Sequence, residues 1–222
     1  PLSRIAVNLA PADLPKAGTH FDLPIAISIL INSGQLSCET ATTLFLGELA
    51  LDGAVRPVAG VLPIVISAKA KGFRSAIVPF ENAKEAALVG GLEIIAVKSL
   101  ADAVAHLQGV AKISAYPNAD IGSLARHHDS ACDMKEIRGQ EHAKRALEIA
   151  AAGGHNLLMS GPPGSGKTLL ARTFATILPR MNEEEILEVT KIYSVAGALA
   201  GGANLVTIRP FRSPHHTASA AS

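Results

Sequence analysis

Tryptophan is absent from the 222 residues, and aromatic side chains make up only 4% of them. An interior of stacked rings is therefore excluded, and the core must be packed from Ala, Val, Ile and Leu, as α/β domains pack theirs. Cysteine is nearly absent. Cys38 and Cys132 stand far apart with no Cys-x-x-Cys pair, which excludes a disulfide framework and suits the reducing cytoplasm. No run is apolar enough to cross a bilayer: the longest, Leu23 to Ile31, is short and contains Pro24. No signal peptide opens the chain, so the expected location is cytoplasmic, with no membrane partner. Neither sign of charge dominates. The net charge of +1 gives no electrostatic argument for or against nucleic acid. The chain opens at Pro1 without Met and stops in mid-pattern at Ser222, so a fragment of a longer protein is expected.

Hydrophobic residues reach 48%, enough for a sizeable core, and the length suits one or two domains. One stretch dominates the rest: Gly161-Pro162-Pro163-Gly164-Ser165-Gly166-Lys167-Thr168 fits G-x-x-x-x-G-K-[ST] at every fixed position. Asn156 to Ser160 before it reads as a buried strand, and Leu169 to Ala175 after it as a helix. Strand, glycine-rich loop and helix are the context of a phosphate-binding loop. Glycines let successive backbone N–H groups turn toward phosphate oxygens where a Cβ would intrude. The helix N-terminus adds its positive end. Lys167 is placed to reach the terminal phosphates of ATP, and the Thr168 hydroxyl to ligate Mg²⁺.

Taken in order, Leu2 to Leu9 alternates in part and reads as a strand, followed by a turn-rich loop from Pro11 to His20. Leu23 to Asn32 reads as a helix stopped by Gly34. Thr43 to Leu49 reads as a strand that turns at Asp52-Gly53 into Ala54-Val55-Arg56-Pro57. Helices are expected over Leu62 to Lys71, Glu81 to Leu88 and Ser99 to Leu107. The last opens on a capping box at Ser99 and Asp102. Strands are expected over Ala76 to Val78 and Glu93 to Val97. Residues 1–108 thus form an α/β or α+β domain. Residues 109–133 have no clear period and read as a linker. A second domain, 134–222, opens with a helix from Gln140 to Ala152. After the loop and its helix, Asn182 caps a further helix that carries Glu183, Glu184 and Glu185 in its first turn.

The remaining candidates are weaker. His127, His128, Asp129, Cys132 and Asp133 could ligate a metal, but their spacing matches no zinc site. His20 and Lys16 lie in a loop with no orienting partner in the sequence. Lys69, Lys71 and Arg74 read as a solvated helix end. From Lys191 onward there is no acidic residue, and Arg209, Arg212, His215 and His216 gather where Pro210 and Pro214 favour extended chain. That segment suits DNA phosphates, a neighbouring subunit or plain solvent.

Ile137 to Leu147, Gly153-Gly154-His155-Asn156, the glycine loop and Arg209 to Thr217 together resemble the magnesium-chelatase-like AAA+ ATPases of the ComM/YifB type. The front domain is similar to the Lon-protease-like (ribosomal S5 domain 2-like) fold at Pro15 to Gly18, Leu46 to Leu49, Asp52-Gly53, Pro57 to Gly60 and Ile77 to Asn82. The resemblance implies a front Lon-like α/β domain followed by the start of a P-loop AAA+ domain. It places ATP on Gly161, Pro162, Pro163, Gly164, Ser165, Gly166, Lys167 and Thr168, with Mg²⁺ on Thr168. It implies a ring hexamer whose ATP hydrolysis drives DNA translocation and branch migration. By the same resemblance the Walker B carboxylate, the sensors and the arginine finger fall after Ser222. A chelatase-type motor that inserts metal into a porphyrin is the alternative. The Ser-Lys dyad of Lon peptidases falls on His20 and Leu62. Leucine cannot act as the base, so no peptidase activity is expected.

Overall fold

The computed structural model describes residues 4–9, 13, 18–119, 133–199 and 205–214. Its contacts divide the chain into two compact units, residues 1–121 with 188–205 and residues 122–187 with 206–222. Among the described residues no helix is long and apolar enough to cross a membrane.

The first unit is mixed α/β around a small parallel sheet. Strands β1 (Thr43–Phe45), β4 (Ser75–Pro79) and β5 (Glu93–Val97) lie in the order β1-β4-β5. Both pairings are parallel, with Phe45 beside Ile77 and Ile77 beside Ile95. Parallel neighbours need crossovers, and α2 (Val61–Ala70) and α3 (Ala83–Ala86) lie in them. Between β1 and α2 the chain forms a hairpin of β2 (Glu48–Leu49) and β3 (Val55–Arg56), turned at Asp52-Gly53. Helix α1 (Asp22–Asn32) buries Leu23 and Ile27 against Val55, Ile77, Ile95 and Val97. Helix α4 (Leu100–Leu107) closes the same core with Ala103. Its capping box forms as read from the sequence: the Asp102 N–H donates to Ser99 Oγ at 3.1 Å, and the Ser99 N–H donates to Asp102 at 3.0 Å.

Four readings of this unit change. The strand expected over Thr43 to Leu49 is two strands broken at Gly47, whose φ is 150° and whose added Cβ would come within 2.8 Å of Val55. Its carbonyl instead accepts the Leu23 N–H at the start of α1. The helix expected over Glu81 to Leu88 is a 3₁₀ turn, Phe80–Asn82, running into the one turn of α3. Residues 4–9 pair with no strand among the described residues, and Ile5 and Val7 stay exposed beside α1. Beyond α4, residues placed in a linker by the sequence carry hydrogen bonds to the sheet unit: the Tyr116 N–H donates to the Ile94 carbonyl at 2.7 Å and the Ala119 N–H to that of Ala87 at 3.1 Å. Such bonds leave no period, because the partners are distant in sequence.

The second unit opens on a 3₁₀ turn, Met134–Glu136, and continues through α5 (Glu141–Gly153) and α6 (Lys167–Ile177). Helix α7 (Glu183–Val195) begins in it, and its residues from 188 onward belong to the first unit. Met134, Ile137, Leu147 and Leu170 form the core, with Met159 and Phe174 packed on it. Residues 156–160 are not a strand as expected. A strand is a pairing, and no described residue pairs with them.

Replacing Ser99 with Ala should cost about 1 kcal/mol at the start of α4. The readout is hydrogen exchange of the α4 amides, with the β4 and β5 amides as the unchanged reference.

Candidate functional site

The loop from Gly161 to Gly166 carries left-handed backbone where only glycine is at ease. Gly164 has φ 80° and Gly166 φ 84°, and an added Cβ at either would meet nothing within 4 Å. Glycine is therefore required here by conformation and not by crowding. Gly166 is also the residue from which α6 springs, and no side chain caps that helix. Its first N–H groups have no intrahelical acceptor.

Lys167, the first residue of α6, folds back over the loop. Its Nζ donates to the carbonyls of Gly161 at 2.9 Å and Pro162 at 2.7 Å and to Ser165 Oγ at 3.1 Å. All three acceptors sit on the loop itself, so the ammonium is held at the loop's centre. A cavity of about 360 Å³ adjoins it, with Ala143, Leu157, Met159, Gly161, Ser165 and Lys167 in its lining. Gln140 also lines it, and it is the non-glycine residue with positive φ (61°) among those described. In the sequence Gln140 marks only a helix start. Its position after Gly139 in Gly139-Gln140-Glu141 was the one available signal. An open helix N-terminus, a glycine turn and a fixed ammonium together make a cradle for an anion.

The other candidates resolve differently. His20 donates from Nε2 to the Ala59 carbonyl at 2.7 Å, and Leu62 is fully buried in the core. The structure brings these two positions to the same short stretch of chain, with no nucleophilic hydroxyl at His20 and an alkyl side chain at Leu62. Lys69 donates to the Gly90 carbonyl, so it is not a plain solvated end. Asp133 accepts the Lys135 N–H at 3.0 Å as a cap. That bond, with the Lys135 ammonium beside it, holds its carboxyl below the usual range. His127, His128, Asp129 and Cys132, Lys16, and His215 and His216 lie outside the described residues. Among the described ones no cluster of metal-ligating side chains occurs. Burial, then the Glu39 charge, pushes the Cys38 thiol up from its ordinary value.

The basic tail is corrected at Arg209. Its Nε donates to the Pro179 carbonyl at 2.7 Å, and one terminal nitrogen donates to both Glu185 oxygens at 2.9 and 3.0 Å. Glu185 in turn closes the α7 capping box with Asn182, in bonds of 2.8 and 2.9 Å. Arg209 is thus engaged at the start of α7, with its side chain still 30% exposed.

The structure defines a mixed α/β protein whose second unit carries a glycine-rich loop opening a helix on lysine. Comparison with known proteins narrows this. The model for "Magnesium chelatase, subunit ChlI" matches residues 133–222, and the model for "Subunit ChlI of Mg-chelatase" matches residues 1–82. The competence protein ComM of Haemophilus influenzae is 44% identical over 99% of the chain, which covers 43% of ComM. YifB of Escherichia coli, itself uncharacterized, is 43% identical over 99% of the chain, which covers 42% of YifB. Lon protease 2 of Bacillus subtilis is 34% identical over 40% of this chain and 16% of its own length. The chain belongs to the magnesium-chelatase-like proteins of the ComM/YifB type. It spans less than half the length of those relatives.

The Asn182 N–H first, then Arg209, holds the Glu185 carboxyl below its ordinary 4.5. A depressed carboxylate contributes stability above its unfolded pKa and loses it as pH falls through the folded one. Arg209→Ala should raise the Glu185 titration part of the way toward 4.5, leaving the Asn182 contribution in place. Carboxyl NMR titration reads this directly.

Proposed function

We propose that the second unit binds ATP with Mg²⁺ as the opening part of a P-loop AAA+ domain. In the complete protein it would hydrolyse ATP within a ring hexamer. The observation that supports this most is the placement of Lys167 among Gly161, Pro162 and Ser165 at an uncapped helix start. The residues fit the group. The glycines at 164 and 166 leave the loop lined with backbone, without a Cβ. The Lys167 ammonium already lies at the loop's centre and need only exchange carbonyl partners for phosphate oxygens. Thr168, exposed in the first turn of α6, is the residue that would ligate the metal. Bound Mg²⁺ supplies charge neutralisation across the phosphates. The chain's own part is to orient: backbone N–H groups fix the phosphate oxygens, and Lys167 holds the terminal ones.

We further propose DNA as the substrate of the complete motor, acting in branch migration of incoming strands. The support is the match to a competence protein along almost the whole chain. Chelatase names on both matched family models favour a second reading, metal insertion into a porphyrin. A peptidase reading is disfavoured by Leu62, which is buried where a base is needed.

Lys167→Ala should weaken ADP binding by about ten- to hundredfold, the worth of charge-assisted hydrogen bonds. Calorimetry on the 222-residue chain reads it, and unchanged affinity would overturn the assignment. In the full-length protein the ATPase rate should rise with forked DNA. A rise with porphyrin partners instead would move the motor to the chelatase class.

A further inference from the structure

The N-terminal end of α2 is surrounded by polar partners from four parts of the first unit. Helix α2 springs from Gly60, left-handed at φ 73°, with no side-chain cap of its own. Its early backbone groups are nevertheless matched. The Asn82 amide takes both the Val58 N–H and the Val58 carbonyl, each at 3.0 Å. His20 donates to the Ala59 carbonyl. The Gly60 N–H donates to the Ser194 carbonyl at 2.9 Å, and the Leu62 N–H to Glu85 Oε1 at 3.0 Å. The Ser194 hydroxyl donates to that same Glu85 oxygen. Glu85 and Ser194 are 8% and 2% exposed, so this is a buried carboxylate answered by hydrogen-bond donors.

Residues 194–197 also approach the α2 start at backbone distance. A Cβ on Gly60 would lie 3.8 Å from the Val195 Cα, and one on Gly197 would lie 3.8 Å from the Ala59 Cβ. The inward face of this segment is polar at its most buried positions, Thr190 and Ser194 at 0% and 2% exposed, while Ile192 and Val195 are 61% and 65% exposed. The attachment is therefore directional. Moving along α7 by one residue would turn the hydroxyl about 100° away from Glu85.

We propose that the first unit's surface at Val58–Leu62 is a receptor for residues 188–197, latched by Glu85 and Ser194 and released as one cooperative piece. By resemblance this surface carries the two dyad positions, His20 and Leu62. A region used for peptide chemistry in Lon-type enzymes here receives a segment of its own chain. Glu85 serves both parts: it caps α2 permanently through Leu62 and takes the Ser194 hydroxyl only when the segment is docked. Asn82, donating to the other Glu85 oxygen at 3.3 Å, keeps the carboxylate aimed.

Hydrogen exchange of the 222-residue chain tests this. The amides of Gly60, Ala196, Gly197 and Ala198 should exchange through one shared opening, faster than those of Ile77 and Ile95 in the sheet. Ser194→Ala, and separately Glu85→Gln, should speed that opening by about tenfold or more while the sheet amides stay unchanged. The Gly60 readout is informative because Ser194→Ala leaves its carbonyl acceptor in place. Gly60 exchange at the sheet rate in the wild type, or unchanged by Ser194→Ala, would overturn the latch. If either variant also loosens the sheet, a cross-link decides. Ala59→Cys with Gly197→Cys, in a chain with Cys38 and Cys132 replaced by Ser, should close under mild oxidation, since the Cβ separation suits a disulfide. Failure to close would overturn docking.

Discussion

A helix start leaves backbone N–H groups without acceptors, and both units are organised by how that need is met. At α2 the acceptors are protein: the Glu85 carboxylate takes the Leu62 N–H, and the Ser194 carbonyl takes that of Gly60. At α6 no side chain caps the helix, and the chain supplies a glycine loop and an ammonium instead. The two solutions have opposite consequences. A matched start is a closed structural joint. An unmatched one, with a cation beside it, is a place for an anion to bind. The same constraint appears at α4 and α7, where Ser99 with Asp102 and Asn182 with Glu185 form reciprocal caps. Those reciprocal caps span three residues, and at α7 Arg209 adds a distant partner to Glu185.

The same contrast bears on the front unit. Its β1-β4-β5 sheet and the β2-β3 hairpin lead into α2, whose first turn carries Leu62. There Leu62 is packed in the core and the His20 Nε2 is engaged by the Ala59 carbonyl. What persists is a set of oriented hydrogen-bonding groups. Directed groups of that kind suit recognition of chain more than chemistry on it. In the second unit Arg209 shows the reverse economy. A cation that looked available in an acid-free segment is taken by Glu185 and Pro179, and it stiffens the start of α7.

Much was legible in the residues alone. The glycine loop fits a fixed spacing, because its function depends on consecutive backbone groups. The Ser99 and Asn182 caps are equally local. The hairpin at Asp52-Gly53, α1, α2 and β5 follow from period and turn chemistry within a dozen residues. Three things were decided only by tertiary structure. Gly47 splits a strand because the Val55 side chain and the start of α1 arrive there from elsewhere in the chain. Residues 109–119 belong to the front unit through backbone bonds to Ile94 and Ala87, which have no sequence period. Glu85, one acidic residue among alanines, becomes a buried anchor because Ser194, 109 residues away, points its hydroxyl at it. Local geometry is written in spacing. Which distant donor reaches a buried acceptor depends on how the layers stack, and spacing does not record that.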